Sequence, residues 1–195
     1  MLKKNKLIVG THNKGKFREL CYLLPNNLKK ISPQDLKIKA PKETGKTFKG
    51  NSILKAKYFF KLTKLACISD DSGLEVVSLN NKPGIYSARW AKKLGSFKLA
   101  MKKILKLLKT KKGRKAYFVC SLTLINKKGK IFNSTYRLQG KISHKILGKN
   151  GFGYDSIFIP KGYKKTFGQT TKKKKMRMDH RFYAFKKLRK HPNIF

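Results

Sequence analysis

The sequence is poor in acidic residues. Only 8 of its 195 residues are Asp or Glu, against 50 Lys and Arg, which gives a formal net charge of +42 at pH 7. Such a charge is typical of proteins that bind nucleic acids through phosphate contacts. However, only seven of the basic residues are Arg, the side chain suited to bidentate recognition, and the lysines are spread along the whole chain. This favours a compositional drift toward Lys, with non-specific RNA binding expected at low salt.

Cysteines and long hydrophobic runs are also scarce. Cys21, Cys67 and Cys120 are odd in number and far apart, so they indicate buried thiols in a reducing compartment and exclude a disulfide or zinc framework. The apolar runs are too short to span a membrane, and no signal-peptide pattern is present. We therefore expect a cytoplasmic protein without membrane contact.

Alternating strand and helix patterns predict an α/β fold with a mixed sheet, in a single domain over residues 1–195. The first strand is predicted at 6–10 and the first helix at 14–24. Further strands are predicted in "NLKKIS", "LACISD" and "GLEVVSL", and a β-hairpin in "RKAYFVCSLTLIN" and "KIFNSTYRLQGKI". Helices are predicted in "TFKGNSILKAKYFFKLTK", "GSFKLAMKKILKLLK" and "DHRFYAFKKLRKH", with Thr47 and Asp179 as N-caps. The Gly- and aromatic-rich "LGKNGFGYDSIFIPKGYKKTF" is unlike a core element.

The loop after the first strand has features of a phosphate-binding turn. "GTHNKGK" at 10–16 fits the first seven positions of the Walker A pattern, but Phe17 stands where that pattern needs a Ser or Thr for Mg²⁺. The following helix N-terminus still favours an anion, and Lys14 and Lys16 add positive charge. An ordinary strand-to-helix turn is the alternative for this stretch taken alone.

Three of the eight acids lie in "SDDSGLEV", where Asp70 and Asp71 are adjacent. Neighbouring carboxylates after an apolar strand are a common way to hold a hard divalent cation. A turn or a helix cap is the alternative, since Asp and Ser favour both.

Five stretches taken in order resemble the inosine/xanthosine triphosphate pyrophosphatase family. They are "GTHNKGKFREL", "ETGKTFKGNSILKA", "SDDSGLEVVSLNNKPGIYSARWA", "GFGYDSIFIPKGYKKTF" and "HRFYA". Members of this family hydrolyse deaminated purine nucleoside triphosphates to the monophosphate and pyrophosphate. The resemblance covers nearly the whole chain. It implies two lobes around an elongated, twisted mixed sheet with flanking helices, a substrate cleft between the lobes, and a homodimer.

The resemblance also implies roles for individual residues. Glu43 and Asp71 would be ligands of Mg²⁺, and Asp71 would also be the catalytic general base. The implied substrate-binding residues are Thr11, His12, Asn13, Lys14, Gly15, Lys16, Ser72, Phe152, Gly153, Tyr154, Asp155, Lys175, His180 and Arg181.

Elementary chemistry agrees with these roles. A nucleoside triphosphate carries about four negative charges, which Mg²⁺ and lysines must offset before a nucleophile approaches phosphorus. Phe152 and Tyr154 offer flat faces to a purine, with core packing as the alternative. His180 and Arg181 can donate hydrogen bonds to a 6-oxo group, whereas a 6-amino group would meet donor against donor.

The chain departs from the family pattern at several positions. His12, Gly50, Ser156 and Asp179 stand where the family usually has Gly, an acid, Pro and Ser, and "GQTTKKKKMRM" replaces a stretch usually rich in Glu. We expect Gly50 to weaken the metal site if that acid assists it, and to lower the stability of its helix. Two other functions stay open at this point: a basic nucleic-acid-binding protein, and a nucleotide pyrophosphatase with a different base preference.

Overall fold

The computed structural model describes residues 5–192, which contain one seven-stranded mixed sheet with flanking helices. The strands are β1 (Lys6–Gly10), β2 (Lys29–Ile31), β3 (Ala66–Val76), β4 (Lys82–Pro83), β5 (Lys115–Ile125), β6 (Ile131–Ile142) and β7 (Phe158–Pro160). The α-helices are α1 (Lys14–Leu23), α2 (Phe48–Thr63), α3 (Ser87–Lys93), α4 (Phe97–Leu107), α5 (Lys172–Lys175) and α6 (His180–Leu188). The predicted α/β class with a mixed sheet is confirmed; α3 and α5 were not predicted.

The strand order is β2-β1-β3-β5-β6-β7, and β4 pairs with β3. β1 is parallel to both β2 and β3, whereas the β3–β4 and β6–β7 pairs are antiparallel. The register of β1 and β3 sets Val9 opposite Ile68 and Gly10 opposite Ser69. The predicted hairpin is present as β5 and β6, which are neighbours in the sheet and are joined by residues 126–130.

The chain forms two compact units, and each is built from separate parts of the sequence. The first unit comprises the residues up to Asp71, Cys120–Tyr136 and the residues from Arg181 onward. The second unit comprises Ser72–Val119 and Arg137–His180. The single domain expected over residues 1–195 therefore stays a prediction, and residues 1–4 and 193–195 lie outside the described part of the chain.

The core of the first unit lies on both faces of β1. Leu7 and Val9 are buried in one apolar cluster with Leu20 of α1, while Ile8 is buried in another cluster with Phe59 of α2. This follows from the strand geometry, because successive side chains of a strand point to opposite faces. Helices α1 and α2 both begin at side-chain caps: Asn13 precedes α1, and Thr47, as predicted, caps α2.

The core of the second unit includes the aromatic segment that the sequence pattern set apart from the core. Tyr154, Ile157, Phe158 and Phe167 are buried in one cluster with side chains of β3, α4 and β5. The expectation that this segment is unlike a core element is wrong. Its glycines indicate turns, but those turns fold its aromatic rings inward, where burial of apolar area stabilises the unit.

The segment "SDDSG" is the other correction. The sequence predicted separate strands on either side of it, yet β3 runs unbroken from Ala66 to Val76. Asp70 and Asp71 therefore lie in the middle of a strand rather than at its end. The local preference of Asp, Ser and Gly for turns is outweighed here by the place of β3 inside the sheet, between β1 and β5.

No helix within residues 5–192 has both the length and the apolar character needed to cross a bilayer. Cys21, Cys67 and Cys120, which all fall within that range, form no disulfide.

Candidate functional site

The turn after β1 is organised by its own side chains. Asn13 Oδ1 accepts hydrogen bonds from the backbone N–H groups of Gly15 at 2.9 Å and Lys16 at 3.0 Å. Thr11 Oγ1 in turn accepts from the N–H of Asn13 at 3.2 Å. Asn13 thus uses two amides that an anion at this helix N-terminus would otherwise engage. The Lys14 side chain is exposed, so it adds positive charge at the surface of the turn.

His12 points to the long loop that precedes α2. Its Nε2 donates to the carbonyl of Ile38 at 2.9 Å, and its ring centroid lies 6.1 Å from that of Phe59. A pocket of about 380 Å³ lies beside this turn. The predicted substrate-binding residues that line it are Thr11, His12, Asn13 and Lys14. Four of the six predicted loop residues therefore share one concave surface.

A buried ion cluster surrounds Arg181 in the first unit. The guanidinium, 1% exposed, donates from Nη2 to Asp70 Oδ2 at 3.0 Å and from Nη1 to Glu19 Oε2. The Lys16 ammonium lies 3.3 Å from the same Asp70 oxygen. Two carboxylates and two cations thus neutralise one another, and Asp70 holds both Lys16 and Arg181 in place. The predicted contact of Arg181 with a base stays a prediction.

A second ion cluster of the first unit surrounds Lys55 of α2. The Lys55 ammonium, in a residue 9% exposed, lies 2.5 Å from Glu43 Oε1 and 3.5 Å from Asp71 Oδ1. Asn51, one helical turn before Lys55, donates from Nδ2 to Asp71 Oδ2 at 3.0 Å. The structure therefore brings the two predicted metal ligands, Glu43 and Asp71, to a single ammonium group. Lys55 is thus a shared partner of both carboxylates.

The adjacent aspartates have opposite pKa shifts. Burial raises the pKa of Asp71 above its ordinary value, and the nearby charges of Lys55 and Lys16 offset this only in part. Burial acts on Asp70 as well, but the positive charges of Lys16, Arg181 and Lys55 outweigh it and hold the pKa of Asp70 well below its usual range. Asp71 is thus the more basic carboxylate of the pair, as a proton acceptor must be.

A third ion cluster lies in the second unit around Lys175, which is 2% exposed. Its ammonium lies 2.7 Å from Asp155 Oδ2 and 3.9 Å from Asp179 Oδ2, and 4.6 Å from the centroid of the Phe152 ring. Asp155 Oδ2 also accepts from the N–H of Phe152 at 2.8 Å. The structure brings together Phe152, Asp155 and Lys175 among the residues predicted to bind substrate.

The turn before Asp155 depends on glycine. Gly151 has a φ of +76° and Gly153 a φ of +66°, a backbone region that side chains with a Cβ rarely adopt. A Cβ at Gly151 would also collide with the Asp155 carboxylate. Gly153 is therefore needed for the turn itself, which places Phe152 over Lys175.

Tyr154 packs in the core of the second unit. It is 2% exposed, its hydroxyl donates to the carbonyl of Ser87 at 2.9 Å, and its ring meets Phe97 edge-on at 5.3 Å. Burial raises the pKa of its hydroxyl well above the ordinary value. These contacts agree with the core-packing alternative for Tyr154, and contact with a nucleoside stays a prediction.

Two further predicted residues lie in the same unit. His180, at the start of α6, is buried, and its ring is stacked on Phe118 at a centroid distance of 4.8 Å and an angle of 16°. Ser72 is partly exposed in β3, directly after Asp71. Their predicted contacts with substrate stay predictions.

The donor set at Glu43 and Asp71 fits a hard divalent cation. Mg²⁺ is commonly held by one or two carboxylates, with water and substrate phosphates completing its coordination. Among residues 5–192, no three His, Cys, Asp or Glu side chains come together as a metal cage. The chain thus offers the two-carboxylate type of site and not a complete protein cage.

Three residues of these clusters received no role from the sequence. Lys55 and Asn51 are spaced i, i+4 on α2, so the sequence could have placed them on one helix face near an acid. Glu19 is one of only eight acidic residues in a strongly basic chain. This scarcity of acidic residues is the signal by which the sequence could have singled it out. Their partners are distant in sequence, which is why local patterns did not identify them.

Comparison with known proteins identifies the family of the chain. The profile of the Ham1 family matches residues 7–191. The chain belongs to the Ham1 family. A dITP/XTP pyrophosphatase of Caulobacter vibrioides is 39% identical over 186 residues, which cover 94% of this chain and 96% of that protein. A dITP/XTP pyrophosphatase of Borreliella burgdorferi strain ZS7 is 42% identical over 197 residues, covering 94% of each. The family recognised from the five sequence motifs is confirmed.

Solved structures of Ham1 proteins share the fold. The HAM1 protein of Coxiella burnetii superposes with a TM-score of 0.85 at 31% identity and covers 94% of this chain and 96% of its own. The Ham1 protein of Staphylococcus aureus superposes with a TM-score of 0.84 at 34% identity and covers 95% of this chain and 97% of its own. Every residue to which the motifs assign a role lies inside the matched range of the Ham1 family.

Proposed function

We propose that this Ham1 protein hydrolyses deaminated purine nucleoside triphosphates, such as dITP, ITP and XTP, to the monophosphate and pyrophosphate. The Caulobacter and Borreliella relatives bear the name dITP/XTP pyrophosphatase. The structural observation that carries the proposal is the convergence of Glu43 and Asp71 on the Lys55 ammonium. Phosphoryl transfer needs such a combination of carboxylates and a cation, because charge must be neutralised while water is activated.

The phosphates are proposed to bind at the turn between β1 and α1. Thr11, Asn13 and Lys16 are the residues to which the family resemblance gives this role. Asn13 holds the turn, and the ion pair with Asp70 orients the Lys16 ammonium. A side chain held in place loses less conformational entropy when substrate arrives, so this pairing supports a phosphate-binding role for Lys16.

Glu43 and Asp71 are proposed to hold Mg²⁺, which suits their oxygen donors. When bound, the ion would neutralise charge on the phosphate oxygens. Lys55 adds a second positive charge beside both carboxylates, and its own pKa is raised: burial would lower it, but Asp71, Asp70 and Glu43 outweigh that effect. Lys55 therefore stays protonated at neutral pH and can contact a phosphate oxygen.

Asp71 is proposed as the general base. Asn51 and Lys55 donate to different oxygens of its carboxylate, which fixes its orientation. A water oxygen attacks the α-phosphorus, Asp71 takes a proton from that water, and the bond from the α-phosphorus to the bridging oxygen breaks. Pyrophosphate leaves, and the monophosphate remains. This fixed orientation favours transfer of a proton from a water molecule to the Asp71 carboxylate.

The nucleoside is proposed to be recognised by residues of the second unit. Phe152 offers a partly exposed ring, and Lys175 and His180 carry donors suited to a 6-oxo group. Adenine presents a 6-amino donor, so its binding would leave donors facing one another. For Arg181, which bonds Glu19 and Asp70, the contacts support a positioning role in the first unit.

Two further properties are part of the proposal. Absence of a disulfide among the three cysteines supports a cytoplasmic location. The family resemblance supports a homodimer, which sedimentation or light scattering would test.

The experiment is to measure pyrophosphate release from dITP, ITP, XTP, ATP and GTP at about 0.15 M ionic strength, with Mg²⁺ and with EDTA. We expect release from the first three that requires Mg²⁺, with ATP and GTP nearly untouched. Asp71→Asn should reduce kcat by about 10²–10⁴-fold, the contribution of a general base. Glu75→Gln is the matched control, since Glu75 has no role in the proposed reaction and its Oε2 accepts hydrogen bonds from the Arg137 guanidinium. Absence of release by a folded wild-type protein, or full activity of Asp71→Asn, would overturn the proposal.

A further inference from the structure

Tyr163 separates two basic concave surfaces of the second unit. One has a volume of about 470 Å³ and the other about 270 Å³, and both are lined by Pro160 and Tyr163. The Tyr163 side chain is 46% exposed. Neither surface contains a residue to which the proposed pyrophosphatase reaction assigns a role. An exposed ring between two charged hollows therefore calls for a separate explanation.

A tight turn fixes the position of Tyr163 at the end of the sheet. β7, the last strand in the sheet order, ends at Pro160, and the N–H of Tyr163 donates to the Pro160 carbonyl at 3.1 Å. Gly162, third residue of this turn, has a φ of +83°, the backbone conformation that a type II turn requires there. The ring is thus held on a defined turn beside Lys161.

Positive charge lines both hollows. The larger is lined by Arg114, Lys115, Lys141 and Lys161, and the smaller by Lys164, Lys165 and Lys174. No Asp or Glu of the described chain, residues 5–192, lines either hollow. Seven cations without a nearby lining carboxylate form a strongly positive region even in this basic chain.

Two of these cations have defined positions. Arg114 donates from Nε to the carbonyl of Ile142 at 2.7 Å and from Nη2 to that of Ser143 at 2.5 Å. The Lys174 ammonium lies 5.8 Å from the centroid of the Tyr163 ring. The ring and its cations are therefore organised together.

We propose that Tyr163 and these seven cations form a binding surface for single-stranded RNA, which we call the Tyr163 surface. One base stacks on the Tyr163 ring, and the phosphates on either side of it contact the lysines of the two hollows. Stacking on an aromatic ring next to a positively charged groove is how proteins bind single strands without reading sequence. A duplex keeps its bases stacked internally, and a membrane would need a broader apolar face than a single ring.

The test is fluorescence anisotropy with a labelled 12-residue oligouridine, titrated at several salt concentrations. One variant carries Lys161→Gln, Lys164→Gln and Lys165→Gln. Its matched control carries Lys98→Gln, Lys102→Gln and Lys106→Gln, which removes the same charge from exposed positions of α4 in the same unit. Tyr163→Ala and Tyr163→Phe test the ring, and circular dichroism checks that each variant is folded.

We expect the first triple variant to bind about tenfold or more weakly at 0.15 M salt, with a salt slope reduced by about 2, because single strands contribute about 0.7 per phosphate contact. The control triple variant should stay within about twofold of wild type. Tyr163→Ala should weaken binding by about fivefold or more with an unchanged salt slope, and Tyr163→Phe should bind like wild type.

Equal losses in the two triple variants would overturn the proposal, since they would indicate binding by overall charge alone. Unchanged affinity of Tyr163→Ala, or equal affinity for a 12-base-pair duplex, would overturn it too. Binding to phosphatidylserine vesicles that depends on the same residues and exceeds binding to RNA would assign the surface to membranes instead. Pyrophosphate release should be unchanged in every variant, so this proposal and the proposed enzymatic function fail independently.

Discussion

Asp70 and Asp71 are neighbours in β3, yet their carboxylates bond different partners. Asp70 accepts from Arg181 and lies 3.3 Å from the Lys16 ammonium, whereas Asp71 accepts from Asn51 and Lys55. Alternation of side chains along a strand explains the division, since consecutive residues point to opposite faces. One aspartate is therefore enclosed by cations as a structural anion, and the other keeps the raised pKa of a proton acceptor.

Six of the eight acidic residues lie in buried ion clusters of this kind. They form three clusters, each with two carboxylates beside one buried cation: Glu19 and Asp70 at Arg181, Glu43 and Asp71 at Lys55, and Asp155 and Asp179 at Lys175. Among residues 5–192, these three are the buried Lys and Arg side chains. A buried charge is tolerated only when it is paired.

Lys55→Met should move the acid limb of the pH–rate profile to higher pH. The positive charge of Lys55 lowers the pKa of Asp71, so its loss raises that pKa further and keeps the base protonated over more of the acidic range. We also expect kcat to fall by about 10²–10³-fold, because a cation near the transferred phosphoryl group is lost. The measurement is kcat/KM for dITP between pH 5 and 10.

Lys55→Arg is the matched variant, since it keeps the charge and should keep an acid limb close to that of wild type. An unchanged acid limb in Lys55→Met would contradict both the pairing of Lys55 with Asp71 and the role of Asp71 as base.

Much of the fold was predictable from the sequence because its signals are local. The apolar pattern of β1, the cap of α2 at Thr47 and the hairpin of β5 and β6 each depend on residues close in the chain. Gly153 could also be named from the sequence, because it belongs to a motif whose residues are close together in the chain. The continuous β3 could not be predicted, because its neighbours in the sheet, β1 and β5, are distant in the sequence, and its place between them outweighs the turn preference of "DDSG".

The candidate site was predictable in part. Glu43, Asp71 and Lys16 could be named because five motifs in order resemble a family, and the structure supplies partners for each of them. The burial of Arg181 against Glu19, 162 positions away, had no local signal. The same holds for Tyr154, whose hydroxyl is bonded to Ser87, 67 residues earlier.

Asp70→Asn should destabilise the fold by about 3–5 kcal/mol at pH 7, since it leaves the buried Arg181 with less compensating charge. The pKa of Asp70 is lower in the folded than in the unfolded protein, so its carboxylate stabilises the fold above the unfolded pKa of about 3.9 and loses this effect as pH falls. The difference between wild type and Asp70→Asn should therefore stay constant from pH 7 to about pH 5 and shrink as the pH falls below about 4.

Urea unfolding at pH 7, 4 and 2.5 measures this difference for Asp70→Asn, because the stabilisation by the carboxylate is lost below the unfolded pKa. Asp35→Asn should change stability by less than about 0.5 kcal/mol at each pH, as expected for an exposed position. A constant difference between wild type and Asp70→Asn at all three pH values would contradict the assigned ion pairs.

Cys67 should make the protein less stable at alkaline pH. Burial raises the pKa of its thiol to about 12, with hydrogen bonds from Ser69 and Gly10 offsetting this slightly. The unfolded thiol ionises from about pH 8.5, while the folded one stays protonated, so ionisation favours unfolding by about 1.4 kcal/mol per pH unit. The stability advantage of wild type over Cys67→Ala should narrow from pH 8 to pH 10.5, measured by urea unfolding.

Cys21→Ala, which changes a half-buried thiol, is the control and should show a smaller change with pH. A difference between wild type and Cys67→Ala that does not depend on pH would contradict the burial of the Cys67 thiol.

Gly50→Glu should stabilise α2. Gly50 is the third residue of the helix, and its N–H donates to Thr47 Oγ1 at 2.9 Å. Glu at this position completes a capping box with Thr47, places a negative charge at the helix N-terminus and removes the conformational cost of Gly. A Cβ would lie 3.2 Å from Thr47 Oγ1, a close contact that a small shift of that side chain relieves. We expect the free energy of unfolding to increase by about 1 kcal/mol, or the Tm to rise by about 2–4 °C, measured by calorimetry.

Gly50→Ala is the control, because it restores only the helix propensity and should stabilise the protein less than Gly50→Glu. A lower Tm for the Glu variant than for the Ala variant would show that the capping box does not form.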